Sequence, residues 1–104
     1  MRTTQPAWMV LSNHGMVLFH IAAHPHSTLR ALSDTLGITE RQIARILKDL
    51  MAGGMVQIQH RGRRNFYIVD PDAHFRHPTL AHIPLRPIYE TLVPQMARDL
   101  EASP

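Results

Sequence analysis

The residues best placed to do chemistry are cations. Between Ser27 and Val69 stand Arg30, Arg41, Arg45, Lys48, Arg61, Arg63 and Arg64, against only Asp34, Glu40 and Asp49, an excess of four positive charges. The rest of the chain carries a net charge of −1 out of a total of +3. Such a cluster recognises anions. Arginine and lysine donate to phosphate oxygens, and to guanine O6 and N7 at base edges. Histidine is the second candidate set, with eight in 104 residues. Imidazole suits zinc or nickel, and His74, His77 and His82 in the second half are the candidates. Their spacing argues against a site. His77 and His82 are five apart, and Pro78 and Pro84 interrupt any helix that would align them. They read as surface or capping histidines, and His14 as a residue that orders the start of a helix. No serine–histidine–aspartate spacing, paired carboxylates or phosphate-binding glycine loop is present. The expectation is a protein that is not an enzyme and holds no cofactor.

The elements that must position these cations follow from local signals. Ser12 or Asn13 can cap a first helix through Met16 to Ala23, apolar over much of its circumference and therefore central, with Pro25 ending it. Ser27 is the expected cap of a second helix, about Thr28 to Leu36, striped by Leu29, Leu32 and Leu36 and closed by Gly37. Thr39 and Gln42 form a T-x-x-Q capping box for a third. In it Ile43, Ile46, Leu47, Leu50 and Met51 make one apolar face, and Gly53-Gly54 stop it. Ser33 is small where the two helices approach. Arg41, Arg45 and Lys48 then share the opposite face, with Ala44 between them. Met55 to His60 and Asn65 to Val69 read as two strands, joined by the loop Arg61-Gly62-Arg63-Arg64. Asp70 and Pro71 end the pattern. The tail is punctuated by Pro78, Pro84, Pro87 and Pro94. In it Leu85, Ile88, Leu92, Met96 and Leu100 suggest a last helix kinked near Pro94.

Composition narrows the class. The length predicts one domain, 44% hydrophobic, with modest core volume and a surface that a dimer interface would help to cover. There is no cysteine, so disulfides, thiolate metal sites and cysteine nucleophiles are excluded. No secretory signal and no apolar run of membrane-spanning length is visible, so the expectation is a soluble cytoplasmic protein without a membrane partner. The division is an N-terminal segment 1–11 that holds Trp8, a core 12–70, and a C-terminal extension 71–104.

The stretch Leu36-Gly37-Ile38-Thr39-Glu40-Arg41-Gln42-Ile43, with Leu47 to Leu50, Gly53-Gly54-Met55-Val56 and Arg61-Gly62-Arg63-Arg64-Asn65-Phe66-Tyr67, resembles winged helix-turn-helix regulators of the MarR and ArsR type. The likeness runs from about Trp8 to Leu92. It implies a mostly helical α+β fold: three core helices, a two-stranded hairpin wing and a C-terminal helix. It further implies a homodimeric transcriptional regulator of double-stranded DNA whose terminal helices pair, with an unknown small-molecule effector possible. On this resemblance Thr39, Glu40, Arg41, Ala44, Arg45 and Lys48 face the groove, and Arg61, Arg63 and Arg64 are the wing contacts; Gln42, near the helix start beside Thr39, joins them as a candidate for phosphate or base edges. Glu40 and Ala44 depart from the pattern, the first by its negative charge and the second by its missing hydroxyl. Asp72-Ala73-His74 is similar to the start of the metal site of some ArsR-type sensors, which makes a metal-responsive regulator one alternative. A winged-helix module that binds protein is the other.

Overall fold

The structure, a computed structural model, describes residues 7–102. Helix α1 spans Asn13–Ala23. Ser12 adopts extended backbone and its hydroxyl accepts from the Gly15 amide at 3.2 Å, satisfying one of the donors a helix start leaves open. Val17, Leu18, Phe19 and Ile21 are buried, so α1 is the central helix its composition predicts.

Helix α2 runs Leu29–Leu36 and helix α3 runs Glu40–Ala52. The cap of α2 is Thr28, whose Oγ1 accepts from the Ala31 amide at 3.0 Å, and not the expected Ser27. The Ser27 hydroxyl is engaged elsewhere: it donates to the His24 carbonyl at 2.8 Å and closes the turn between α1 and α2. Gly37 ends α2 at φ 72°, a left-handed conformation that costs any side-chain-bearing residue more. Ile43, Ile46, Leu47 and Leu50 bury the inner face of α3. They share one core with Val17, Leu18 and Ile21 of α1 and Leu32 of α2.

Strands β1 (Val56–Arg61) and β2 (Arg64–Val69) pair antiparallel, with Val56 opposite Val69 and Ile58 opposite Tyr67. Val56, Tyr67 and Val69 face the core; on the outer face Gln57 and Gln59 are exposed, and Phe66 and Ile68 are half-buried. The Tyr67 amide also donates to the Pro25 carbonyl at 2.9 Å, which ties the hairpin to the α1–α2 turn by backbone alone.

Residues 70–85, which carry no helical or alternating pattern, fold back in an ordered path. The Asp70 amide bonds the Met55 carbonyl, Phe75 bonds Ile83, and Leu85 bonds Ala73, at 2.9, 3.1 and 2.9 Å. This return delivers Leu85, 2% exposed, into the same core as α1 and α3. Helix α4 follows over Arg86–Ala102, contains Pro94 as expected, and packs against α1. Its first turn is held by Arg86, which reaches Asp72 at 2.8 Å and Glu90 at 3.2 Å. The Leu100 side chain of the expected stripe lies outside the described residues.

Leu85→Ala lowers unfolding free energy by about 2–5 kcal/mol, because a fully enclosed leucine leaves a cavity, and denaturant titration reads this directly. A second expected outcome concerns His20, half buried on α1, with Nδ1 donating to the Met16 carbonyl at 3.1 Å. Burial lowers its pKa below the ordinary 6.5; the Met16 contact opposes the shift and neighbouring His24 adds to it. The unfolded chain therefore takes up this proton at higher pH than the folded one. His20's contribution is present above about 6.5 and is lost as pH falls from there toward the depressed folded value. Denaturation midpoints measured from about pH 8 to about pH 5 fall less steeply for His20→Gln than for the parent.

Candidate nucleic-acid interface

The turn Gly37-Ile38-Thr39 sets the start of α3. The Ser33 hydroxyl donates to the Ile38 carbonyl, so the small residue of α2 braces the turn as well as permitting close approach. The capping box is complete: Thr39 Oγ1 accepts from the Gln42 amide at 3.1 Å, and Gln42 Oε1 accepts from the Thr39 amide at 2.9 Å. With its entry held and one face buried, α3 has a fixed rotation about its axis. At 100° per residue Arg41, Arg45 and Lys48 fall within about 60° of arc, opposite Ile43 and Leu50. Ala44 and Glu40 lie on one flank of that arc, so Ala44 stands beside the three cations and not between them as expected; Gln42 and Asp49 lie on the other flank.

All seven expected groove positions, Thr39, Glu40, Arg41, Gln42, Ala44, Arg45 and Lys48, are exposed. Among the described residues the ion pairs are His14–Asp49, Arg86–Asp72 and Arg86–Glu90, so Arg41, Arg45 and Lys48 have no acidic partner. Asp49, one of the two acids on α3, is held by His14 Nε2 at 2.8 Å. This is how His14 orders the first helix: it links its first turn to α3 and draws the carboxylate to the flank. Glu40 lies in the first turn, where a carboxylate complements the positive end of the helix.

The wing tip carries a second, different cluster. Arg61 stands directly opposite Arg64, and only Gly62-Arg63 turns the chain between them. Gly62 has φ 64° while Arg63 has negative φ, the sign pattern of a type II′ hairpin turn. Like charges directly opposite are destabilising in a sheet, and no acid among the described residues relieves them. Arg61 is nonetheless held. Its guanidinium carbon lies 4.0 Å from the centroid of the Phe66 ring, and Nη2 donates to Gln59 Oε1 at 3.1 Å. His26 meets the same ring edge-on at 4.8 Å. A cleft of about 360 Å³ opens between the wing and the start of α2, lined by His26, Ser27, Thr28, Arg63, Arg64 and Asn65. The roles of Phe66 and His26 escape a linear reading. Phe66 becomes visible as Arg61's platform only once the register puts the two diagonally across the hairpin.

Asp72, His74, His77 and His82 serve other ends. Asp72 accepts from Arg86, His74 Nδ1 bonds the Ala81 carbonyl at 2.7 Å, and His77 Nδ1 bonds the Thr79 hydroxyl at 2.8 Å. His82 is exposed. Among the described residues no three histidine or carboxylate side chains come together in metal-binding geometry.

Residues 12–57 match the family model described as winged helix-turn-helix DNA-binding, covering α1, α2, α3 and the start of β1. No curated protein and no solved structure matches the chain. The fold is a winged helix-turn-helix. In it α2 and α3 form the helix-turn-helix, the β1–β2 hairpin is the wing, and the loop 70–85 with α4 is added beyond the matched region. No helix among the described residues is long and apolar enough to cross a membrane.

The exposed cations of this winged helix contribute little to its own stability. Arg41→Ala, Arg45→Ala and Lys48→Ala each leave unfolding free energy within about 0.5 kcal/mol of the parent. Thr39→Ala, which removes a cap, costs about 1 kcal/mol in the same denaturation experiment.

Proposed function

We propose that this protein binds double-stranded DNA as a sequence-specific transcriptional regulator, with α3 in the major groove and the wing along the backbone or in the minor groove. The observation that carries the reading is the arc of Arg41, Arg45 and Lys48, exposed and free of acidic partners on a helix whose opposite face is fully packed. A major groove admits such a helix, and arginine or lysine donates there to guanine. Thr39 and Gln42 contact phosphate or base edges near the helix start. Arg63 and Arg64 follow the backbone, and Arg61, stacked on Phe66, presents its remaining N–H groups beside them.

The regulator acts as a cytoplasmic homodimer of the MarR or ArsR type. Support comes from apolar side chains left in solvent: Trp8 is 78% exposed and Val10 91%, with Leu80 and Ile88 also open. Two copies would read half-sites one helical turn apart, roughly 34–36 Å. The same exposed residues favour the second reading, a winged helix that binds another protein.

Affinity for random-sequence duplex DNA as a function of salt separates the two. Each phosphate neutralised contributes about −0.9 to the slope of log K against log salt. The expected result is a slope of several units. The combined variant Arg41→Ala, Arg45→Ala, Lys48→Ala makes it shallower by about one unit for each phosphate it leaves unneutralised. No binding at low salt, or a slope that the variant leaves unchanged, removes α3 as the DNA-reading element and turns attention to a protein partner.

A further inference from the structure

A cleft of about 720 Å³ opens between the start of α1, the last turn of α3 and the loop that returns over residues 75–85. Its size falls in the range of small-molecule sites. The walls are mainly aliphatic: Leu80 is exposed and Leu11 half-buried, and behind them lie the edges of the core side chains Leu18, Leu50, Met55 and Leu85. Phe19, 3% exposed, lies outside the main core cluster and lines this cleft instead.

One cation stands at the cleft. Arg76 lays its guanidinium across Gly53, so close that a Cβ built at position 53 would sit 2.8 Å from Nη1. The guanidinium therefore lies against the end of α3. Once there, it forms no hydrogen bond and no ion pair with any described residue. The other ionisable groups of the lining are His14 and Asp49, which are joined to each other at 2.8 Å. An apolar chamber with one unpaired guanidinium complements a molecule with an alkyl body and one anionic end. A carboxylate matches the guanidinium fork with two parallel hydrogen bonds.

We infer that this cleft binds an aliphatic carboxylate, its chain among the leucines and its carboxylate on Arg76. The ligand rests on Leu50 and Gly53, at the end of the helix that carries Arg41, Arg45 and Lys48. Binding at this site does not depend on the DNA reading, and it is measured in the absence of DNA.

The test is calorimetric titration of the full chain with octanoate and, separately, with uncharged octanol, which has the same chain length. Octanoate saturates at one per chain and binds about tenfold tighter than octanol, the discrimination expected of a charge-assisted contact. Arg76→Gln, a change at an exposed residue, keeps the parent's circular dichroism and brings octanoate down to the octanol level. Leu80→Trp, which narrows the cleft from a partly exposed position, weakens both ligands. The inference is overturned by any of three results: no saturable octanoate binding, equal affinity for the two ligands, or octanoate binding unaffected by Arg76→Gln. It is also overturned if octanoate uptake falls in step with self-association as protein concentration rises, which would identify a second copy of the chain as the occupant.

Discussion

Ile43, Ile46, Leu47 and Leu50 bury one face of α3 against α1 and the rest of the core, and everything the surface can do depends on that burial. Each such side chain is worth about 1.5–3 kcal/mol in transfer from water, so rotating the helix to expose them is not an accessible alternative. Its rotation fixed, α3 has no choice about where Arg41, Arg45 and Lys48 point. The capping box of Thr39 and Gln42 then sets where the helix begins, and Gly37 with the Ser33–Ile38 bond sets the angle at which the chain enters it. Function here is mostly a consequence of which face was left over after packing.

The wing obeys a different logic. Its inner face, Val56 with Tyr67 and Val69, belongs to the core, and the Tyr67–Pro25 bond anchors it to the helices. Its tip is electrostatically unfavourable for the free protein: Arg61 faces Arg64, with Arg63 in the turn between them. Stacking on Phe66 orients Arg61 without neutralising it. Local conflicts of this kind, left without a compensating acid, are where a sequence serves a partner rather than its own fold. In the proposed function a polyanion relieves the conflict at the tip and on α3 together. The loop 70–85 contributes differently. It spends its hydrogen bonds on bringing Leu85 into the core and so places Arg76 over the end of α3.

What is legible in the chain is what is local. Helix starts at Ser12 and Thr39, the glycine stops at Gly37 and Gly53, and the facing of the α3 cations all depend on residues within a turn or two of one another. The cap of α2 falls one position away from the expected Ser27 because Ser27 and Thr28 are both residues that cap helices. The His24 carbonyl, presented by the end of α1, decides between them by taking the Ser27 hydroxyl. The path of residues 70–85 is not legible, since its bonds to Met55 and across Ala73–Leu85 join positions with no shared periodicity. Arg61 is visible as a cation, but its platform on Phe66 needs the strand register, and the cleft beside Arg76 needs three separate segments to be brought together.

In the proposed function α3 and the wing tip form one DNA-facing surface. Backbone amide chemical-shift mapping of the full chain during titration with duplex DNA tests it most directly, because it reports position as well as affinity. The largest shifts are expected over residues 39–48 and 61–65, with residues 7–11 and α4 nearly silent at low DNA concentration. Shifts concentrated on α4 and the exposed segment around Trp8, with α3 unmoved, would contradict it.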